Sequence, residues 1–208
     1  MSNGPGLRDR KKEATRLAIS NVATRLFIER GFDKVSVADI ADEADVARKT
    51  VFNYFARKED LVFDREDEVR ALVREAITGR DADTPIGAFK RLMRTLSESD
   101  HPIFRISERP IRFWRAVAES PALTTRAREL QVSLGDDLAG MLAQAVGRPV
   151  SDAEARLAAA MLMSTLVVAY GEALRVFRET GKVGEDFARL MERGFGGVDA
   201  ALAGTPYV

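Results

Sequence analysis

The stretch Ser36 to Phe55, SVADIADEADVARKTVFNYF, decides the fold. Ser36 stands just before an apolar-periodic run and Asp39 falls in its first turn. That is an N-cap signature, with aspartate a weaker reciprocal partner than glutamate. It predicts a short helix over Val37 to Ala44. Asp45 and Val46 then make a tight turn, and a second short helix runs over Arg48 to Tyr54. Ile40, Ala41, Ala44, Val46 and Val51 give the two helices facing apolar sides, and the small Ala41 and Ala44 let them cross closely. This is a helix-turn-helix layout, in which the second helix enters the major groove with its N-terminal residues leading. Arg48, Lys49 and Thr50 occupy that end. Arginine and lysine can donate to guanine O6 and N7, and threonine can reach a base edge, a thymine methyl or a phosphate. Tyr54 and Lys58 follow at a spacing suited to flanking phosphates. A plain antiparallel helix pair with solvated charges fits the same pattern of residues.

Working outward, Ile19, Val22, Ala23, Leu26 and Phe27 recur on one helix face. They predict a first helix from about Lys11 to Arg30, ended by Gly31 with Phe32 packing back on the last turn. Residues 1–10 read as a disordered arm whose Arg8 and Arg10, with Lys11, Lys12 and Arg16, bring positive charge to the other flank. Residues 1–60 hold 12 basic and 10 acidic side chains, so the distribution of charge matters more than its sum. A fourth helix is expected from near Arg57 to about Thr78, with a domain boundary around residues 56–62.

The quoted stretch and its neighbours resemble the TetR family of transcriptional regulators. The likeness is carried by Leu26 to Phe32 (LFIERGF), by Ser36, Val37, Ile40 and Ala41, and by Thr50 to Phe55 with Lys58, Glu59 and Leu61. It covers roughly residues 12–62. It implies a three-helix DNA-binding domain, here 11–60, followed by a larger all-helical domain, here 61–208, that binds a ligand and dimerises. By that resemblance Thr50, Tyr54 and Lys58 match operator-contacting positions, and Lys49 lies at another. The DNA-binding set is therefore Ser36, Arg48, Lys49, Thr50, Asn53, Tyr54 and Lys58. Three positions depart from the family pattern. Phe52 replaces the usual tyrosine and loses a hydroxyl contact. Asp45 replaces the turn glycine, a position where aspartate tolerates left-handed backbone better than most residues. Ala47 replaces the serine cap of the recognition helix, a loss of about 1 kcal/mol.

Beyond the boundary, helices are expected over about Ile86 to Ser97, Arg109 to Glu119, Ala122 to Val146, Asp152 to Thr180 and Glu185 to Leu202, punctuated by Pro102, Pro110, Pro121 and Pro149. No strand or hairpin signal interrupts them, so the fold class is all-α. From Leu157 to Tyr170 the helix is apolar all round, which demands burial on more than one side. A second copy of the chain would supply the other side, in keeping with the last two long helices forming the family's dimer interface. Phe89, Met93, Phe104, Phe113, Trp114, Val117 and Met163 are the expected lining of a hydrophobic ligand pocket. Arg105, Arg109, Arg112 and Arg115 lie beside it as possible receivers of an anionic group.

Composition closes off other classes. Among 208 residues there is no cysteine, a single histidine (His101), and 32 basic residues against 32 acidic. Thiol catalysis and thiolate metal sites are excluded, and no residue pair makes a histidine-based metal or triad site. No metal, cofactor or catalytic residue is expected. The N-terminus has no apolar core of a signal peptide. The longest uncharged run, Leu157 to Gly171, falls short of the roughly 20 residues of a membrane span. The sequence thus predicts a cytoplasmic homodimer with no membrane partner. Its reading is a sequence-specific regulator and repressor, released from double-stranded operator DNA by a small hydrophobic or acyl-type effector. The alternatives are a DNA-binding regulator with no effector, and a helical enzyme or small-molecule carrier.

Overall fold

The computed structural model describes residues 6–208, with the backbone alone at residues 7–9. Among the described residues there are nine α-helices and no strand, so the fold is all-α. The chain forms two compact units. The first holds residues up to Arg65 together with Arg112–Arg128, and the second holds Glu66–Ile111 with Glu129–Val208.

In the first unit, α1 (Leu7–Arg30) begins at Leu7 rather than near Lys11. Its added turn, Leu7 to Arg10, holds a leucine and two arginines, which favour helix, and Gly6 in extended geometry accepts the Arg10 N–H at 3.0 Å. Residues expected in a disordered arm are therefore helical from Leu7 to Arg10, and residues 1–5 of that arm lie outside the described residues. Gly31 ends the helix with φ +85° and gives its N–H to the Phe27 carbonyl. Phe32 folds back on Phe27, ring centroids 4.9 Å apart. Ile19, Ala23, Leu26 and Phe27 form one side of a core shared with Val35, Ile40, Ala41, Val51, Phe55 and Leu61 of α2 (Val37–Glu43), α3 (Arg48–Tyr54) and their flanks. Val117 and Leu123 complete it.

Instead of a helix from Arg57, residues Lys58–Leu61 make one 3-10 turn, and α4 starts only at Glu66 (Glu66–Thr78). Two side chains of α1 explain the break. Ser20 Oγ donates to the Leu61 carbonyl at 3.1 Å, and the Arg16 guanidinium donates to the Asp64 carbonyl. Those acceptors are therefore engaged outside any helical ladder, and Leu61 and Val62 drop into the core.

The second unit holds α4, α5 (Pro85–Glu98), the larger part of α7 (Pro121–Ala145), α8 (Ala153–Thr180) and α9 (Asp186–Ala201). Between α5 and α7 runs α6 (Glu108–Glu119), divided between the two units. From α5 onward the helices start and stop within one residue of the positions that prolines and caps predict. Thr84 caps α5 ahead of Pro85, and Asp152 caps α8. Tyr207, wholly buried, donates its hydroxyl to Asp152 Oδ1 at 2.9 Å, and its carbonyl accepts the Ile86 N–H at 3.3 Å. Burial pushes the Tyr207 phenol up to about 12. Lys90, almost buried, meets Asp199 of α9 at 2.6 Å.

By length and composition α8 could cross a membrane, with a mean hydropathy of 1.6 over its most apolar window. Counting only its longest uncharged run does not reveal this. Yet Ala155, Ala158, Ala159, Leu162, Ala169 and Ala173 are packed into the core of the second unit, the arrangement of a core helix. The helix meets α9 at close range. A Cβ added at Gly194 would lie 2.2 Å from Thr165 Cγ2 and 2.8 Å from Thr165 Cβ, so α8 and α9 would have to part. Gly194→Ala is therefore expected to destabilise the second unit by about 1–3 kcal/mol, the usual cost of overpacking. Urea unfolding followed by circular dichroism measures it, and an unchanged midpoint would contradict the close approach.

Candidate nucleic-acid interface

The α2–turn–α3 unit is built as its residues require. Ser36 Oγ accepts the Asp39 N–H at 3.2 Å, while Asp39 Oδ2 takes both the Ser36 N–H and its hydroxyl, each at 2.7 Å. The reciprocal box expected at Ser36 is thus closed with aspartate. The two Ser36 bonds hold the Asp39 carboxyl below the usual range. At the turn Asp45 takes φ +52°, the left-handed backbone anticipated where the family usually has glycine. Val46 gives its N–H to the Ala41 carbonyl at 2.9 Å, which brings the chain back into α3.

Ala47 occupies the N-cap of α3 and makes no side-chain cap. The Thr50 and Val51 N–H groups turn to the Ala47 carbonyl, at 2.8 and 3.3 Å. Asp45 caps nothing. On α3, Val51 is buried and Thr50 and Tyr54 are half-buried, whereas Arg48, Lys49, Phe52 and Asn53 are exposed. Among the described residues Arg48, Lys49, Thr50, Asn53 and Tyr54 make no side-chain hydrogen bond or ion pair within the chain. Their polar atoms are available on the outer side of a helix whose inner side is fixed. Phe52, expected only as the loss of a hydroxyl contact, stands 54% exposed. An apolar ring off the buried face of a recognition helix can touch a thymine methyl.

Two predicted contact residues have local partners. The Ser36 hydroxyl is already donor and acceptor in the capping box, leaving one lone pair. The Lys58 ammonium donates to the Phe32 carbonyl at 2.6 Å and lies 4.0 Å from the centroid of the Phe32 ring. Burial lowers its pKa. Lys58 thus ties the 3-10 turn to the end of α1, with two further N–H groups left to give. Arg16, counted with the basic arm, is engaged with Asp64 and lies over Phe55. The Arg8 side chain lies outside the described residues. Arg25, bonded to Glu43 at 2.6 Å, joins α1 to α2.

The seven predicted pocket residues fall in both units. Phe113, Trp114 and Val117 belong to the first, where Val117 is buried in the shared core and Phe113 meets Phe63 edge-on at 6.1 Å. Trp114 stacks edge-on against Phe113 and is 40% exposed. Phe89, Met93, Phe104 and Met163 belong to the second unit. Phe89 and Met93 are buried in its core, with Phe104 and Met163 packed against it. Phe104 makes a ring trio with Tyr170 and Phe187, and the Tyr170 hydroxyl donates to the Arg105 carbonyl at 2.9 Å.

Ala47→Ser should stabilise the first unit by roughly 0.5–1 kcal/mol through a restored cap. Ala47 is exposed and nothing else caps α3, so a urea midpoint that does not rise would mean that the helix end frays regardless.

Residues 19–64 match the family model described as "Bacterial regulatory proteins, tetR family". The regulator TcmR of Streptomyces glaucescens is 30% identical over 103 residues, 47% of this chain and 46% of TcmR. The chain spans less than half the length of the curated relatives it matches. Among solved structures, Thermus thermophilus FadR in complex with lauroyl-CoA is 25% identical. That likeness covers 88% of this chain and 92% of FadR, with a TM-score of 0.55. NalD, the secondary repressor of the MexAB-OprM efflux pump in Pseudomonas aeruginosa, shares the fold at 22% identity. It covers 89% of this chain and 97% of NalD, with a TM-score of 0.57. The family match thus spans the helix-turn-helix of residues 36–55, and the likeness to the solved structures is one of fold over most of the chain.

Proposed function

We propose that the protein is a dimeric, sequence-specific transcriptional regulator, a repressor released from its operator by a small hydrophobic or acyl-type ligand. One observation carries the DNA-binding part. The outer side of α3 offers Arg48, Lys49, Thr50, Asn53 and Tyr54, whose side chains make no hydrogen bond or ion pair among the described residues, while Val51 anchors its inner side. On this reading Arg48 and Lys49 lead into the major groove and read base edges. Asn53 and Tyr54, with Ser36 and Lys58 at the margin, meet base edges or the backbone. The operator places the protein's work in the cytoplasm.

The ligand part of the reading leans on FadR, whose structure holds lauroyl-CoA, and on the apolar interior of the second unit. Release requires that the effector bind more tightly to the state of lower DNA affinity. Support for the dimer comes from α8. Leu157, Ala160, Ser164, Val167, Val168 and Gly171 are all exposed and recur at three- and four-residue spacing. That is the seam of a helix packing against another helix, and Leu157, Val167 and Val168 stand 49–62% exposed without one.

Lys49→Ala should weaken operator binding by about 5–150-fold, the loss expected for a base contact worth 1–3 kcal/mol. The test is fluorescence anisotropy with the DNA upstream of the protein's own coding region, over a range of salt. Wild-type affinity in the variant would remove Lys49 from the interface, and a parallel loss on unrelated DNA would make it a phosphate contact. A second variant addresses the dimer. Val167→Asp should yield monomer by light scattering while helix content is kept, because Val167 is half-exposed within its own chain. A dimer of wild-type strength would place the interface elsewhere.

A further inference from the structure

Within the first unit the end of α1 and a 3-10 turn after it, Phe32–Lys34, border with α6 from Arg112 onward a half-open cavity of about 600 Å³. Four basic side chains line it: Arg30, Lys34, Arg112 and Arg115. Among the described residues none of the four makes an ion pair. The acids nearby do not balance them. Glu29 is paired with Arg25 at 3.8 Å, and Asp33 and Glu119 are lining carboxylates with no ion pair, so four cations face three carboxylates of which one is already engaged. The floor contains the buried Phe27 and Phe32 and, just before α7, Ser120 at 3% exposure. Ser120 Oγ accepts the Leu123 N–H at 3.4 Å, and its own O–H makes no donation among the described residues.

A run of basic residues along one helix is ordinarily a solvated face. Here the four come from two segments some 80 positions apart in the chain and converge on one concavity with an apolar floor and a buried hydroxyl. Like charges gathered at a concave, partly apolar surface raise the local potential and draw a counter-anion. Three of the four are guanidinium groups, whose planar fork matches phosphate oxygens in pairs.

We propose that this cavity is a binding site for a small organic polyanion of the phosphate-ester class. Arg30 and Lys34 hold it from the α1 side, Arg112 and Arg115 from α6, and Ser120 donates from the floor. The site is separate from the apolar interior of the second unit and needs no DNA for occupancy. Calorimetric titration of the full chain with inorganic pyrophosphate and with adenosine 5′-triphosphate, at about 0.15 M salt, tests it. The emission of Trp114, next to Arg115, is followed in parallel.

Saturable binding is expected, weakened at least tenfold in Arg112→Gln/Arg115→Gln, whose urea midpoint should stay at the wild-type value because both positions are exposed. Arg109→Gln, exposed on the same helix but outside the lining, should bind like wild type. Absence of saturable binding overturns the proposal, and so does equal weakening by Arg109→Gln, which would mean an adventitious ion only. A third arm measures operator affinity of the same variants. If wild type takes neither probe while the double variant loses operator affinity, the four cations serve the DNA backbone and the small-ligand site is refuted.

Discussion

Whatever α3 can read, it reads from a position set by a small buried contact. Val51 is 1% exposed and shares one apolar cluster with Ile40 and Ala41 of α2 and with Ile19, Ala23 and Leu26 of α1. A seven-residue helix has almost no stability of its own, since nucleation costs more than so few hydrogen bonds return. Tertiary burial therefore sets both the existence of α3 and the direction of its outer face. The small side chains at Ala41 and Ala23 allow the approach, and Arg25 to Glu43 and Lys58 to Phe32 tie it at its edges. The outer residues are in turn freed from any structural duty, which is why Arg48 and Lys49 can be polar, long and unpaired.

The helix-turn-helix was legible because its signals are local. A cap, an apolar period and a turn residue each act within four or five positions, and Ser36, Asp45 and the Ala47 vacancy sit where that logic puts them. The prolines and the Asp152 cap likewise bound the later helices. What the sequence did not show were interactions between distant positions. Ser20 and Arg16 claim the carbonyls of Leu61 and Asp64 from more than 40 residues away, and so convert an expected helix start into a 3-10 turn. The partners of Lys58 belong to the same kind, since no spacing rule announces a carbonyl 26 positions upstream.

The predicted pocket residues divide between two cores for a related reason. Periodicity identifies the apolar face of a helix and leaves open which core that face enters. Phe113 and Val117 are four apart and share a face, as expected, but that face is turned into the first unit's core beside Leu123. Phe89 and Met93, also four apart, enter the core of the second unit. An alternation of two cores along one chain cannot be read from apolar spacing, because both cores ask for the same residues.

That Val117 and Leu123 belong to the first unit also bears on how the chain acquires its structure. The recognition helix is complete by residue 54, yet the core beneath it has a side that is filled only by residues 112–128. During synthesis the first helices emerge early and must wait, with part of their apolar surface uncovered, until α6 and the start of α7 follow. Domains fold as units, and transiently open apolar surface is where chains go astray. A stretch cut after Arg65 would stay in that waiting state, so the first unit is not separable by truncation at the sequence boundary. Its folding is bound to the intervening helices α4 and α5, which form no part of it.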